Sequence, residues 1–439
     1  MLRRHGYAPE YSGSTNIDIG EPICDWDDVP MRLLLIGNNY KPEPTGIGVI
    51  TAEFAERMAD RGHTVTVATT FPNYPQWSWQ GGRRLFKVEE LAGVTVRRMW
   101  TPLPRNRSTF WRVVFDTGFT LTSLINAGGA HRPEVVIAIC PPVQVAFTAT
   151  LLGRLWRVPT CLWIKDLPLD LALEVGMVSR GSLTHRFGAA LERLAYRSCS
   201  ELIVIHERFA RVIKQKGVPK EQITSIPNWV DDTPPVAATL SYRGDLGAGQ
   251  GDFLILHAGN MGAKQGLANI LAAASMVHAD EKIKFALMGD GPRRDSVIAE
   301  AGRLNLTSMA ILPLQAANQV PYYYAAADAL LLDQVANVID SVVPMKLLSY
   351  MAAGKPILAA VHPESVTAEI LDEAGCGLLV PPDDPVALAA GARQLAECPD
   401  LAKLGHNART YMEENFATAQ VMAKWEELLT TLSGASRES

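Results

Sequence analysis

Residues 253–266 read FLILHAGNMGAKQG, and their order decides the fold class. The apolar run Phe253–Ala258 has the length and composition of a strand, a glycine-rich loop follows, and Gly266–Val277 then carries apolar residues at helical spacing. A strand feeding a glycine-rich loop and a helix is the repeating half of a βαβ unit. Toward the C-terminus the alternation continues, with strands expected at Lys284–Met288, Ala310–Leu312, Ala329–Leu332, Pro356–Ala360 and Gly377–Val380. Between them lie helical patterns at Arg294–Leu304, Val320–Ala326, Lys346–Ala353 and Val366–Ala374, and helices Pro385–Glu397, Pro399–Glu414 and Ala419–Leu432 complete the series. Toward the N-terminus the pattern breaks at Pro227–Gly251, which holds Asp231-Asp232, Pro234-Pro235 and several glycines. That break reads as a domain boundary. Before it runs a first series, with strands Arg32–Gly37, Thr64–Thr69, Val94–Met99, Val135–Ile139, Thr160–Ile164, Glu201–Ile205 and Gln222–Ile226 and amphipathic helices such as Gly48–Arg61. The expected class is α/β, with two doubly wound domains whose ligand cleft lies between strand ends that face each other.

The chain has 439 residues, 48% of them hydrophobic and 20% charged. That apolar fraction builds sizeable cores, so a disordered or fibrous protein is excluded. A net charge of −5 argues against a general nucleic-acid binder, yet the charge is unevenly spread. Residues 1–235 carry 27 Lys and Arg against 23 Asp and Glu, whereas residues 236–439 carry 14 against 23. Residues 1–30 hold two basic and six acidic side chains, which leaves residues 31–235 at about +8. The six cysteines (Cys24, Cys140, Cys161, Cys199, Cys376 and Cys398) are scattered without a C-x-x-C pair. They read as reduced thiols of a cytoplasmic protein, and the histidines show no ligand-like clustering, so no metal is implied. Residues 1–30 lack an apolar signal-like core and read as a flexible tail, with Met31 an alternative start. The uncharged run Val135–Gly153 approaches membrane-span length, but Pro141-Pro142 divides it and Gln144, Thr148 and Thr150 lie within it. It reads as a buried strand, a turn and the start of a helix.

Four loop motifs carry the chemistry. The first, NNYKPEPTGIG over Asn38–Gly48, joins the first strand to the first helix. Its glycines let backbone approach a ligand, and the N–H groups of a helix start favour an anion, although a tight turn explains the loop equally well. It is not G-x-G-x-x-G, and no acidic residue ends the second strand (Ala68-Thr69-Thr70-Phe71) to hold a ribose, which counts against a dinucleotide oxidoreductase. The second, His257–Gly266, sets Lys264 beside glycines, where backbone donors, helix dipole and ammonium converge on a diphosphate; a solvated turn lysine is the equal alternative. The third, Met288–Pro292, turns toward the same side. The fourth, VPMKLLSYMAAGKPI over Val343–Ile357, places Lys346 in the first turn of a helix. There a cation opposes the macrodipole, a placement that favours a bound anion.

In this order the motifs resemble those of the GT-B glycosyltransferases of family 4, and most closely the subgroup that builds bacterial exopolysaccharides such as colanic acid. The likeness runs from Met31 to Leu432 and is most specific in the P-x-K-x-L-x-Y-M-A-A-G-K-P stretch. The resemblance implies two Rossmann-like domains facing across a cleft. An N-terminal acceptor domain would occupy residues 31–235 and a nucleotide-sugar domain residues 236–415, with a final helix in residues 416–439 crossing back to the first domain. It further implies a retaining hexosyltransferase that works without cofactor or metal and takes a UDP- or GDP-linked sugar as co-substrate. The acceptor would be a saccharide or polyprenyl-linked saccharide, met at the inner face of the cytoplasmic membrane, in exopolysaccharide, capsule or lipopolysaccharide biosynthesis. No nucleic-acid partner is implied.

Carried over by position, the resemblance assigns donor binding to Gly46, Gly48, Gly259, Asn260, Gly262, Lys264, Gly289, Asp290, Gly291, Asp340, Pro344, Lys346 and Leu347. It assigns the acceptor side to Glu43 and to Asp166, whose WIKDLP setting resembles the subgroup's D-L-W-P stretch. Catalytic roles fall to Asp166, Lys264 and Lys346. The chain departs from the family where many members carry Glu-x7-Glu: Ser341 and Ser349 stand at those positions, with Asp340 one residue from the first. Separately, Arg97, Arg98, Arg105, Arg107 and Arg112 are interleaved with Trp100, Phe110 and Trp111. Arg105, Arg107, Trp111 and Arg112 suit an anionic bilayer, and a solvated loop beside a core helix is the equal alternative. Competing functions are a GT-B nucleotide-sugar epimerase, which acts on the donor alone, and a catalytically silent partner subunit, which the missing Glu pair permits.

Overall fold

In the computed structural model, residues 30–43, 46–73, 78, 84–103, 109–174, 176–231, 236–237, 240–277, 282–306, 309–339 and 345–437 are described. The strands are β1 (Arg32–Ile36), β2 (Thr64–Thr70), β3 (Phe86–Leu91), β4 (Val94–Met99), β5 (Val135–Cys140), β6 (Thr160–Ile164), β7 (Glu201–Val204) and β8 (Ile223–Ser225), followed by β9 (Phe253–Ala258), β10 (Ile283–Met288), β11 (Ile311–Leu312), β12 (Ala329–Asp333), β13 (Ile357–Ala360) and β14 (Gly377–Val380). They form a first sheet in the order β3-β4-β2-β1-β5-β6-β7-β8 and a second in the order β11-β10-β9-β12-β13-β14. Every pairing is parallel except β3 with β4. The near-continuous apolar runs of β5, β6 and β9 follow from burial on both faces, as a helix-covered parallel sheet requires.

The strand order reverses between β1 and β5 and again between β9 and β12. At such a reversal the flanking helices lie on opposite faces, and a crevice opens at the carboxyl ends of the strands. The two sheets thus build a GT-B arrangement of two Rossmann-like halves facing across a cleft. β3 was not foreseen: it is a charged edge strand without a fully buried position, so no apolar run marks it. It is set by the Ala92-Gly93 hairpin turn, where both residues have positive φ. The run Val135–Gly153 is β5, a turn and the start of the helix Val145–Trp156. Among the described residues no helix is long and apolar enough to cross a membrane.

The helix Leu401–Asn415 packs on the helix Met345–Ala352 in the second half, and the chain then returns to the first. It does so at Val230, whose amide donates to Phe416 O at 3.0 Å. The last helix, Thr418–Arg437, buries Val421, Met422, Trp425 and Leu429 against Phe54, Trp163 and Trp229 of the first half. Trp425 lies 4.7 Å from Trp163 and 4.6 Å from Phe54, ring centre to ring centre. On the far side of the same sheet lie the helices Thr109–Gly128, Val145–Trp156 and Leu183–Ser198. A further tie runs between the halves: Arg211 grips both oxygens of Glu369 at 2.8 and 2.9 Å.

Candidate active site

The second sheet contributes a cradle at the ends of β9 and β10. Gly259 follows β9 and Gly289 follows β10, and the two loops meet backbone to backbone: a Cβ on Gly289 would stand 1.8 Å from Gly259 O. A Cβ on Gly291 would come within 2.6 Å of Asn260 Oδ1 and 2.7 Å of Met261 O. Met261 N donates to Asp290 O (2.7 Å), while the Asp290 carboxylate accepts from Gly291 N (2.7 Å) and so shapes its own turn. Gly259, Asn260, Gly289, Asp290 and Gly291 are thereby brought together, with Gly262 buried close by Asn260. Lys264 is half-buried on the same loop, its carbonyl accepting from Val335 N at 3.2 Å.

Lys346 reaches this cradle from the first turn of the helix Met345–Ala352, and its stem passes over Gly259. Its Nζ donates to Gln265 Oε1 at 2.9 Å and to His257 Nε2 at 3.1 Å. His257 Nδ1 lies 3.0 Å from Leu331 O, which can only accept, so Nδ1 carries the proton and Nε2 offers a lone pair. Burial, with the Lys346 charge second, holds His257 well below the usual histidine range. One helical turn beyond Lys346, the Tyr350 hydroxyl accepts from Ala258 N (2.8 Å) and donates to Ala258 O (3.1 Å), which pins the helix to the end of β9.

Burial pushes Lys346 down to about 7, against the pull of Asp333. Asp333, the last residue of β12, is itself pushed up to about 8 by burial, although Asn269 Nδ2 donates to its Oδ2 at 2.9 Å. A neutral lysine and a neutral acid in one apolar seam avoid the desolvation that two separate charges would suffer. His257, Gln265, Asp333 and Tyr350 were not singled out from the sequence. A lone histidine inside an apolar strand carries no pattern, and the available signal was the acidic residue that ends LLLDQ at Asp333.

The first sheet offers its opening loop at the β1–β5 reversal. Gly46, at φ +76°, starts the helix Ile47–Asp60, and Gly48 packs under the Asn39–Tyr40 backbone. Glu43, expected on the acceptor side, is 3% exposed and turned into the loop: its oxygens accept from Asn39 Nδ2 (2.7 Å) and Asn73 N (2.9 Å). A carboxylate so engaged positions the loop. Leu347, expected at the donor, is sealed in the core because its place in the helix points it away from the cradle. Asp166 is half-buried just past the end of β6, and its charge draws up the pKa of the buried Lys165, which burial holds well below the lysine range. Lys165 Nζ donates to Asn228 Oδ1 at 2.8 Å and lies 3.3 Å above the Trp163 ring.

Between the halves lies a cavity of about 360 Å³, lined by Glu53, Trp229 and Asp231 on one side and Tyr324, Met345 and Ser349 on the other. Ser349 donates back to Met345 O at 3.3 Å. Asp340, Ser341, Pro344, Arg105, Arg107 and the Arg112 side chain lie outside the described residues; Trp111 is half-buried on the helix Thr109–Gly128.

Residues 45–229 match the family described as Glycosyl transferase 4-like domain, and residues 240–414 match Glycosyl transferases group 1. The putative colanic acid biosynthesis glycosyl transferase WcaI of Escherichia coli K12 is 29% identical over 413 residues, covering 90% of this chain and 98% of that one. The probable glycosyltransferase WbjE of Pseudomonas aeruginosa is 30% identical over 293 residues, 66% of this chain and 72% of that one. Among solved structures, Anabaena HepE in complex with UDP and glucose shares the fold, with a TM-score of 0.65 over 92% of this chain and all of that one, at 18% identity.

Proposed function

Because this chain belongs to the GT-B glycosyltransferases of family 4, we propose that it moves a sugar, with retained configuration and without a metal, from a UDP- or GDP-sugar to a saccharide borne on a polyprenyl lipid. The pathway class is exopolysaccharide, capsule or lipopolysaccharide assembly, as the relative named for colanic acid biosynthesis suggests. UDP is the first nucleotide to test, since the fold relative from Anabaena was solved with it. The observation that carries the reading is the Lys346 amino group, held by His257 and Gln265 over a cradle whose backbone leaves no room for side chains.

In the proposed step the bond from the sugar's anomeric carbon to the β-phosphate oxygen breaks, and its electron pair stays on the phosphate. The acceptor hydroxyl attacks the same face, and its proton passes to that phosphate oxygen while Asp166 orients the hydroxyl. Lys346, Lys264 and the backbone N–H groups of the cradle stabilise the charge that builds on the leaving diphosphate. These donors are fixed before reaction, so little reorganisation opposes the transition state.

Calorimetric titration with UDP and GDP, followed by donor turnover in the presence of EDTA, tests the reading. Micromolar binding of one nucleoside diphosphate and EDTA-resistant transfer are expected, with the product's anomeric proton showing retention by NMR. Binding of neither nucleotide would overturn the proposal, and sugar-nucleotide epimerisation without transfer would replace it.

A further inference from the structure

We infer that Lys165 is a positioning residue: its buried amine ties the strand end that presents Asp166 to Asn228, in the connection between the two halves. The side chain is 4% exposed, so its head group has left water and is held by protein instead. Nζ donates to Asn228 Oδ1 at 2.8 Å and lies 3.3 Å above the centre of the Trp163 ring, with the Trp229 ring 5.6 Å away. Trp163 and Lys165 stand two residues apart at the end of β6, so the lysine stem runs along the same side of the strand as the indole.

Both ends of this tie are anchored. On one side, Lys165 N donates to Cys140 O at 3.0 Å and Leu167 is fully buried, so Asp166 stands between two fixed neighbours where the chain leaves the sheet. On the other, Ile226 N donates to Val204 O at 2.8 Å, and Asn228 and Trp229 beyond it are both buried. Val230 then meets the returning chain: besides its amide bond to Phe416 O, its carbonyl accepts from Thr418 Oγ1 at 3.1 Å. Covalent and hydrogen-bonded steps thus run unbroken from Asp166 through Lys165, Asn228 and Val230 to the start of the last helix.

The position calls for a neutral donor. Burial holds the Lys165 amine well below the lysine range, against the pull of the Asp166 and Glu53 carboxylates. The side chain therefore acts through its N–H groups rather than through charge, a role that an amide can imitate and a thioether cannot. An orienting group displaced by about 1 Å costs on the order of a hundredfold in rate, so the tie bears on turnover through Asp166. That last step rests on the proposed transfer; the tie itself does not.

Hydrogen exchange of the full chain, without donor or acceptor, tests the tie. In Lys165→Met and in Asn228→Ala, the amides of residues 165–171 and of Val230 should exchange faster together, by about tenfold or more, while Lys165→Gln matches the wild type. The Lys165→Met/Asn228→Ala double variant should exchange no faster than the more affected single one, because both remove the same bond. With the donor that the wild type turns over, Lys165→Met should lower kcat about 10- to 100-fold and leave donor KM unchanged, since the cradle lies in the other half; Lys165→Gln should stay within about threefold. Equal exchange in Lys165→Met and the wild type would overturn the inference, as would a Lys165→Gln variant no better than Lys165→Met. So would a loss of UDP and GDP affinity in Lys165→Met as large as its loss of kcat, which marks general damage. A wild type that binds neither nucleotide and transfers nothing removes the proposed function, and the exchange comparison still decides the tie.

Discussion

Lys346, on the helix Met345–Ala352, donates to His257 of β9 with 3.1 Å between Nζ and Nε2, and burial lowers the pKa of both residues. His257 is held neutral because its Nδ1 proton is committed to Leu331 O and because burial and the lysine disfavour imidazolium. Lys346 in turn leans on a neutral acceptor, which does little to offset its burial and leaves it at about 7. A group poised there responds strongly to an incoming anion.

Donor binding should therefore take up a proton. A diphosphate beside Lys346 raises its pKa above about 7, so the bound state holds more protons than the free one at pH 8. UDP affinity is expected to fall as pH rises from 7 to 9, by up to about tenfold per unit. Calorimetry in buffers of different ionisation enthalpy counts the proton, and Lys346→Met should remove both the uptake and the slope.

Asp333 supplies a second pH signature. Its folded-state value of about 8 lies far above the ordinary 3.8, so the folded chain keeps a proton that the unfolded chain has released. Stability owed to this group is full at low pH and is lost as pH rises from about 4 to about 8. Relative to Asp333→Asn, the wild type should lose about 1–4 kcal/mol between pH 4 and pH 8 in urea unfolding. Parallel curves for the two proteins would contradict a protonated Asp333.

Gly289→Ala tests the cradle's architecture. Its Cβ would have to enter the space of Gly259 O at 1.8 Å, from a φ of +155° that side chains rarely adopt. A loss of about 2–5 kcal/mol is expected in denaturant unfolding, together with a loss of nucleotide binding. Normal stability and affinity would mean that the two loops stand apart.

Trp425→Ala tests the returning helix. The indole is fully buried between Trp163 and Phe54, and its removal should cost about 3–5 kcal/mol. Limited proteolysis should then cleave within the helix Thr418–Arg437 before the rest of the chain.

Lys264→Ala separates two cations that sequence alone treats alike. Lys264 is half-buried on the glycine loop, whereas Lys346 is hydrogen-bonded to His257 and Gln265. Turnover should fall about 10- to 100-fold without the ammonium. Unaltered turnover would remove Lys264 from the reaction.

The sequence by itself determined the alternation of strands and helices, because burial on both faces writes parallel strands as apolar runs such as VVIAIC at β5 and FLILHA at β9. It also marked the glycine loops and Lys346, since positive φ and a cation at a helix start leave local signs. The charged edge strand β3 left none, and neither did the roles of His257, Gln265 and Asp333. Those residues lie on separate segments, and they become partners only where β9 and β12 lie side by side at the strand-order reversal. Tertiary structure alone also turned Glu43 inward and Leu347 into the core, because orientation depends on neighbours that the local pattern does not contain. Local sequence decides which backbone forms; only packing brings distant side chains within hydrogen-bonding distance and sets how much water, and so how much charge, they keep.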